Sequence, residues 1–164
     1  MAETWVVNAS PVIVLAKIGR LDLLAAPGRT LLIPDAVARE ILAGPSDDAA
    51  RLALARGELC DRPSIAVPAE VLEWSLGAGE SAVIALARAH RATPVLDDFD
   101  ARSCAKSFGL TPVGTLGVIL RARREGRIPE AAPIVSSLRS AGLHLDTALI
   151  RSALRTAVDE EWSG

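Results

Sequence analysis

Short apolar runs alternate with helix-length patterns along this chain, and that alternation limits what it can fold into. Trp5-Val6-Val7, Leu31-Leu32-Ile33 and Val95-Leu96 are continuous apolar runs. Runs of this kind suit strands buried on both faces. Between them lie segments with helical signals. Ser10-Pro11 reads as a helix entry, Ser as cap and Pro at the first helical position, with the helix stopping near Gly19. Leu21, Leu23 and Leu24 form a further helical turn, and Pro34-Asp35 opens a helix that continues to Leu42. Ala49 to Arg56, Val71 to Leu76, Gly79 to Arg91, Ala101 to Phe108 and Leu116 to Arg124 are also helical by pattern. Ser64 to Val67 reads as an edge strand between two prolines, and Leu110 to Val113 as a last short strand. Strands alternating with helices predict an α/β fold with a short parallel sheet flanked by helices.

From Pro129 onward the pattern is helical only. Asp146 is placed to cap a final helix, whose stripe is Leu149, Ile150, Ala153, Leu154, Ala157 and Val158. We expect that stripe to face the chain's own core. The 164 residues suit a single domain, residues 1–164, with an α/β core over 1–128 and C-terminal helices over 129–164.

Composition narrows the function. Half of the residues are apolar and 23% are charged, which excludes a disordered chain. The net charge of −2 predicts no global attraction to nucleic acid, leaving only a local basic patch to provide it. Five aromatic residues and no tyrosine argue against an extended base-stacking platform. Cys60 and Cys104 are far apart, which gives neither zinc spacing nor a disulfide framework. The start, Met1-Ala2-Glu3-Thr4, lacks a basic segment, and no apolar run reaches the roughly 20 residues of a membrane span. The expectation is a soluble cytoplasmic protein with no membrane partner.

Phosphate loops, dinucleotide fingerprints and nucleophile elbows are missing, and His90 and His144 are isolated. Carboxylates with a metal are then the best catalytic equipment. In an open parallel sheet, ligands bind beyond the carboxyl ends of the strands. Two of the runs end there on oxygen-bearing groups, Asn8 and Ser10 after the first, Asp97, Asp98 and Asp100 after Val95-Leu96. Clustered oxygen donors suit a hard cation such as Mg²⁺. Capping also accounts for one Asp at such a turn, but three like charges repel unless a cation relieves them.

Glu80 shares a helix face with Val83, Ile84 and Ala87, so its carboxylate starts an apolar stripe and needs a partner. A first-turn acid answering the helix dipole is the other reading. Glu40 projects between Ala36 and Val37, with a surface ion pair as its alternative. Thr115 either caps a helix or holds a metal-bound water. Arg121, Arg123, Arg124 and Arg127 form a basic cluster near a helix C-terminus, suited to the dipole or to phosphate.

Taken in order, these segments resemble the PIN-like family. Val6-Val7-Asn8-Ala9-Ser10-Pro11 and Leu15 to Leu24 look like its opening. Ile33 to Val37 with Glu40, Gly79 to Val83, Val95 to Asp98, Gly114 to Val118 and Ala141-Gly142-Leu143 continue the likeness. The resemblance implies a three-layer α/β/α PIN-like fold and Mg²⁺- or Mn²⁺-dependent ribonuclease chemistry, often in the toxin of a VapC-type toxin–antitoxin pair. It carries the catalytic and metal-binding roles onto Glu40, Glu80 and Asp98, with Asp97 and Asn8 as further metal ligands. Ser10, Asp100 and Thr115 support them, and Arg121 and Arg124 are positioned for the RNA backbone. It also implies an RNA substrate, a small antitoxin partner and a homodimer. The family's usual first aspartate is Asn8 here, which removes one negative charge from the metal site. A catalytically weak or inactive module binding RNA or protein is the alternative.

Overall fold

A computed structural model describes residues 2–164. Three parallel strands, β1 (Glu3–Val7), β2 (Arg29–Leu32) and β3 (Thr93–Val95), form a sheet in the order β2-β1-β3. Trp5 pairs with Leu31 on one side and with Thr93 on the other. Trp5, Val6 and Val7 have no exposed surface. Successive strand side chains point to opposite faces, so both faces of β1 are covered and the architecture is α/β/α.

The helices are α1 (Ala9–Lys17), α2 (Asp35–Leu42), α3 (Ala49–Ala55), α4 (Ala69–Leu72), α5 (Ala78–His90), α6 (Phe99–Ser107), α7 (Thr115–Arg124), α8 (Ala132–Ser140) and α9 (Thr147–Val158), with a 3₁₀ turn at Leu21–Leu24. Helix α5 packs against β1, β3, α2 and α6. Its residues Ser81 to Ala87 are all buried, which makes it the central helix of the fold. On α9, Ile150 and Leu154 are fully buried against the domain while Leu149 stays half-exposed. The C-terminal stripe therefore faces its own core, as expected. Glu160, beyond α9, accepts hydrogen bonds from the backbone N–H groups of Ala131 and Ala132 and pairs with Arg123. The chain end is thus tied to the start of α8.

Three local expectations need correction. Asn8, not Ser10, occupies the cap position of α1, and its side chain makes no capping bond. The segment Ser64–Val67 is not a strand. The chain just before it bonds to the end of β2, Asp61 and Pro63 accepting from Ile33 and Asp35, and Pro63 and Pro68 deny the ladder two donors. Leu110–Val113 contributes only a single parallel bridge, Val113 to Val95, because Pro94 has no N–H to donate to the Thr111 carbonyl and extend it.

The amino end of the sheet is closed by a buried charge network. The Arg29 side chain is 1% exposed and lies 3.6 Å from the Trp5 ring centroid. It donates to Glu3 at 3.0 Å and to the Leu24 carbonyl at 2.9 Å. Glu3 also accepts from Trp5 Nε1 at 2.9 Å and from Arg121 at 2.7 Å. Burial pushes the Glu3 carboxyl up, but these hydrogen bonds and the Arg29 and Arg121 charges outweigh it and hold its pKa below the usual carboxylate range. A lowered pKa adds stability above the unfolded value of 4.5, and this is lost as pH falls through the folded value. Glu3→Gln is expected to cost on the order of 1–2 kcal/mol at pH 7 and little once the pH is well below 4.5. Urea unfolding at both pH values checks this; an equal loss at both would contradict it.

Candidate active site

The carboxyl ends of β1 and β3 lead into α1 and α6, and the N-termini of α5 and α7 are brought to the same edge. Helix N-termini carry partial positive charge, so an edge built from them tolerates carboxylates that would otherwise repel. Four of the acids use such an end. Asp98 caps α6, accepting from the Ala101 N–H at 3.0 Å, and Asp100 lies in the first turn of that helix. Glu80 is in the first turn of α5, where its carboxylate takes a hydrogen bond from the Gly77 backbone at the cap position.

Asp97 is the most tightly held of them. Its carboxylate accepts from the Thr115 N–H at 2.7 Å, the Thr115 hydroxyl at 2.6 Å and the Ser10 hydroxyl at 3.3 Å. Thr115 is fully buried and Gly114 takes the cap position, so Asp97 supplies from another element the acceptor that α7 lacks locally. Asp97 thereby joins the first turns of α1 and α7 to the end of β3.

Asn8 is 6% exposed, and its Oδ1 has no hydrogen-bond partner. A buried amide oxygen without a donor is costly and calls for a ligand. The exposed Glu40, from α2, reaches the same place: a Cβ on Gly79 would lie 2.7 Å from Glu40 Oε2 and 3.4 Å from Asn8 Oδ1. Gly79 leaves the space over which these two oxygens meet, and Glu80 is the next residue. Burial first, then the Asp98 carboxylate, push the Glu80 pKa above the usual range. The Gly77 backbone bond lowers it, while Glu40 and Asp100 raise it further. Glu40, Glu80, Asp98 and Asp100 therefore share one electrostatic field.

Hard oxygen donors of this kind fit a divalent cation. Among the described residues no three His, Cys, Asp or Glu side chains converge closely enough to hold an ion by themselves. Mg²⁺ is usually bound directly by one or two carboxylates and keeps several waters, so Glu40, Glu80 and Asp98 would hold it partly through water, with Asn8 Oδ1 as a neutral donor.

Beside Asp97 runs a groove of about 400 Å³, with Leu116, Leu120, Leu145 and Leu149 as apolar lining and Arg102, Arg121 and Arg124 as its cations. Arg121 is engaged with Glu3 and Glu125, whereas Arg124 is exposed and makes no ion pair among the described residues. Arg102 and Gly79 escaped the sequence reading. Arg102 donates to the Leu96 carbonyl at 3.0 Å, and a backbone target leaves no trace in side-chain spacing. Gly79 had only its place before Glu80 as a signal.

An open parallel sheet with an acidic carboxyl edge defines a protein built to act on a ligand at the strand ends. A family model described as a PIN domain matches residues 4–159, and the chain belongs to that family. PIN domains are generally nucleases and typically bind divalent metals, which places this chain with nuclease-type proteins acting on nucleic acid. The crystal structure of PAE2754 from Pyrobaculum aerophilum is similar with a TM-score of 0.49 at 17% identity, covering 76% of this chain and 99% of that one. No curated protein matches the sequence. Among the described residues no helix is long and apolar enough to cross a membrane.

Because Glu80 is held among like charges, Glu80→Gln is expected to stabilise the metal-free protein at pH 7. Its partial exposure limits the gain to about 1 kcal/mol, or ~2–4 °C in Tm. The raised pKa means that this gain shrinks as pH falls and wild-type Glu80 protonates. Thermal melts of both proteins in chelator, at two pH values, test this, and a lower Tm for the variant would refute it. Gly79→Ala is expected to leave stability within about 1 kcal/mol while displacing Glu40. Calorimetric titration with Mg²⁺ should show weakened binding.

Proposed function

We propose that this protein is a metal-dependent endoribonuclease, with Glu40, Glu80 and Asp98 as its catalytic carboxylates. The observation that carries this reading is the meeting of a buried, unpartnered Asn8 Oδ1 with Glu40 over Gly79, next to a Glu80 crowded by Asp98 and Asp100. Mg²⁺ or Mn²⁺ suits the donors, held by Glu40, Glu80 and Asp98 with Asn8, and Asp97 close by. When bound, such an ion supplies an activated water and neutralises charge on the phosphodiester.

The remaining work falls to the chain itself. Ser10 and Thr115 orient Asp97, which fixes the relation of the β3–α6 turn to α7. Asp98 keeps the turn rigid through its cap to Ala101 while its second oxygen remains available. Asp100 adds negative charge that favours a cation over bare carboxylates. Arg124, exposed in the groove that Asp97 borders, would hold the RNA backbone. In keeping with the resemblance of its ordered motifs, we assign the protein as the toxin component of a toxin–antitoxin module. A small antitoxin partner, homodimerisation and a cytoplasmic location belong to the same proposal.

A weak or inactive RNA- or protein-binding module is the second reading, favoured by one observation: position 8 contributes an amide without charge. The two separate in one experiment. Purified protein is assayed on single-stranded RNA with chelator, Mg²⁺ or Mn²⁺, alongside Glu80→Gln and Asn8→Asp. Cleavage that needs metal and falls at least a hundredfold in Glu80→Gln is expected. Asn8→Asp should tighten Mg²⁺ binding. Cleavage unchanged by Glu80→Gln would sink the assignment, and RNA binding without cleavage would establish the second reading.

A further inference from the structure

Scarce aromatics argue against a stacking platform, yet one aromatic ring is placed as a single stacking surface. Of the five aromatic residues, Trp5 lies buried against Arg29, Trp162 is 6% exposed and Phe108 faces the Arg88 guanidinium at 4.2 Å. Trp74, between α4 and α5, is partly exposed. Phe99 is 80% exposed, the most open large apolar side chain of the described residues. It is also the residue between Asp98 and Asp100, two of the three acids whose charges reach Glu80.

An isolated exposed apolar residue needs no explanation by itself. Its location does. Phe99 begins α6, and the Asp98 cap fixes the backbone on which the ring stands. A ring in water at the rim of the acidic edge is available to whatever the acids receive. Phosphate is drawn to that edge only through a cation and carries no apolar surface. The base attached to the neighbouring sugar does, and every base offers a flat face to an aromatic ring.

We propose that Phe99 is a substrate-positioning residue that stacks on an unpaired base flanking the scissile phosphate. This inference rests on the ribonuclease reading above. A paired base has its faces covered by its neighbours in the helix, so a duplex cannot offer this contact without unstacking. The ring selects strandedness rather than sequence, because stacking tolerates any base.

The test uses the full chain and three variants, Phe99→Ala, Phe99→Leu and Phe99→Trp. Fluorescence anisotropy follows a short labelled single-stranded RNA, its duplex, and a series of the same strand with one abasic sugar moved along it. Metal-dependent cleavage of the same RNA is measured in parallel. We expect Phe99→Ala to weaken single-strand binding about tenfold, the range of one base–aromatic contact. The loss should appear in KM more than in kcat, with Phe99→Trp restoring it and Phe99→Leu falling between. An abasic sugar at one position should weaken wild type but not Phe99→Ala, since each removes the same contact.

Equal RNA affinity in wild type and Phe99→Ala, with cleavage intact, overturns the inference and leaves the ribonuclease assignment standing. Absence of RNA binding and cleavage in the wild type overturns both. A changed elution volume for Phe99→Ala with unchanged RNA binding makes the ring a protein contact, and the inference fails. Preferred cleavage of duplex also overturns it.

Discussion

Mutual repulsion among carboxylates gathered at one edge of the sheet is the constraint to which the rest of this structure responds. Carboxylates brought to one edge within each other's electrostatic reach would spread apart if each were free. Here Asp98, Asp100 and Glu80 sit at the starts of helices, where backbone N–H groups and the helix dipole oppose the repulsion. Asp98 and Asp100 use the start of α6, Glu80 that of α5, and Asp97 answers the start of α7. The residual strain shows in Glu80, which remains protonated to higher pH than a free carboxylate. A divalent cation bound there would relieve that strain, so under the proposed function the arrangement that costs stability would create affinity.

The opposite end of the sheet does contrasting work. Arg29, Glu3, Trp5 and Arg121 form a satisfied network with opposite charges in contact. Of these charged groups the Arg29 guanidinium alone is fully buried, so removing Glu3 would leave its charge poorly compensated. A rigid amino end lets the carboxyl edge carry unfavourable charge. The two ends are joined by β1, buried from Trp5 to Val7, which leads from Glu3 into Asn8 in a single run.

Asn8 sits at the point where these influences meet. Its amide oxygen is buried and unpartnered, near Glu40 and over the bare backbone of Gly79. An amide oxygen is a neutral donor, so in the proposed metal site it would contribute one charge fewer than an aspartate. The expected consequence is weaker attraction for the ion and less repulsion when it is absent. The exposed Phe99 and the arginine-lined groove border the same edge, giving it neighbouring surfaces of different chemistry.

The alternation of buried runs with helical stretches was enough to indicate a parallel α/β fold, since strand burial and helix periodicity are written locally. The acids at Asp97, Asp98, Asp100 and Glu80 stood out because charged residues next to apolar runs contradict simple packing. Short elements were read less well. Ser64–Val67 and Leu110–Val113 have strand-like composition, but pairing depends on donors at a neighbour's edge, and prolines remove them. Individual roles also lay beyond local pattern. Only the folded chain decides that Asp97 serves Thr115, that Arg121 is committed to Glu3, that Glu40 arrives over Gly79 and that Phe99 is left in water. The sequence by itself determined the class of fold and the supply of carboxylates, because both follow from the order of residues along the chain. Which of them cap a helix, which take hydrogen bonds from a distant side chain and which are left exposed was decided by tertiary structure, because it depends on distances between residues far apart in sequence.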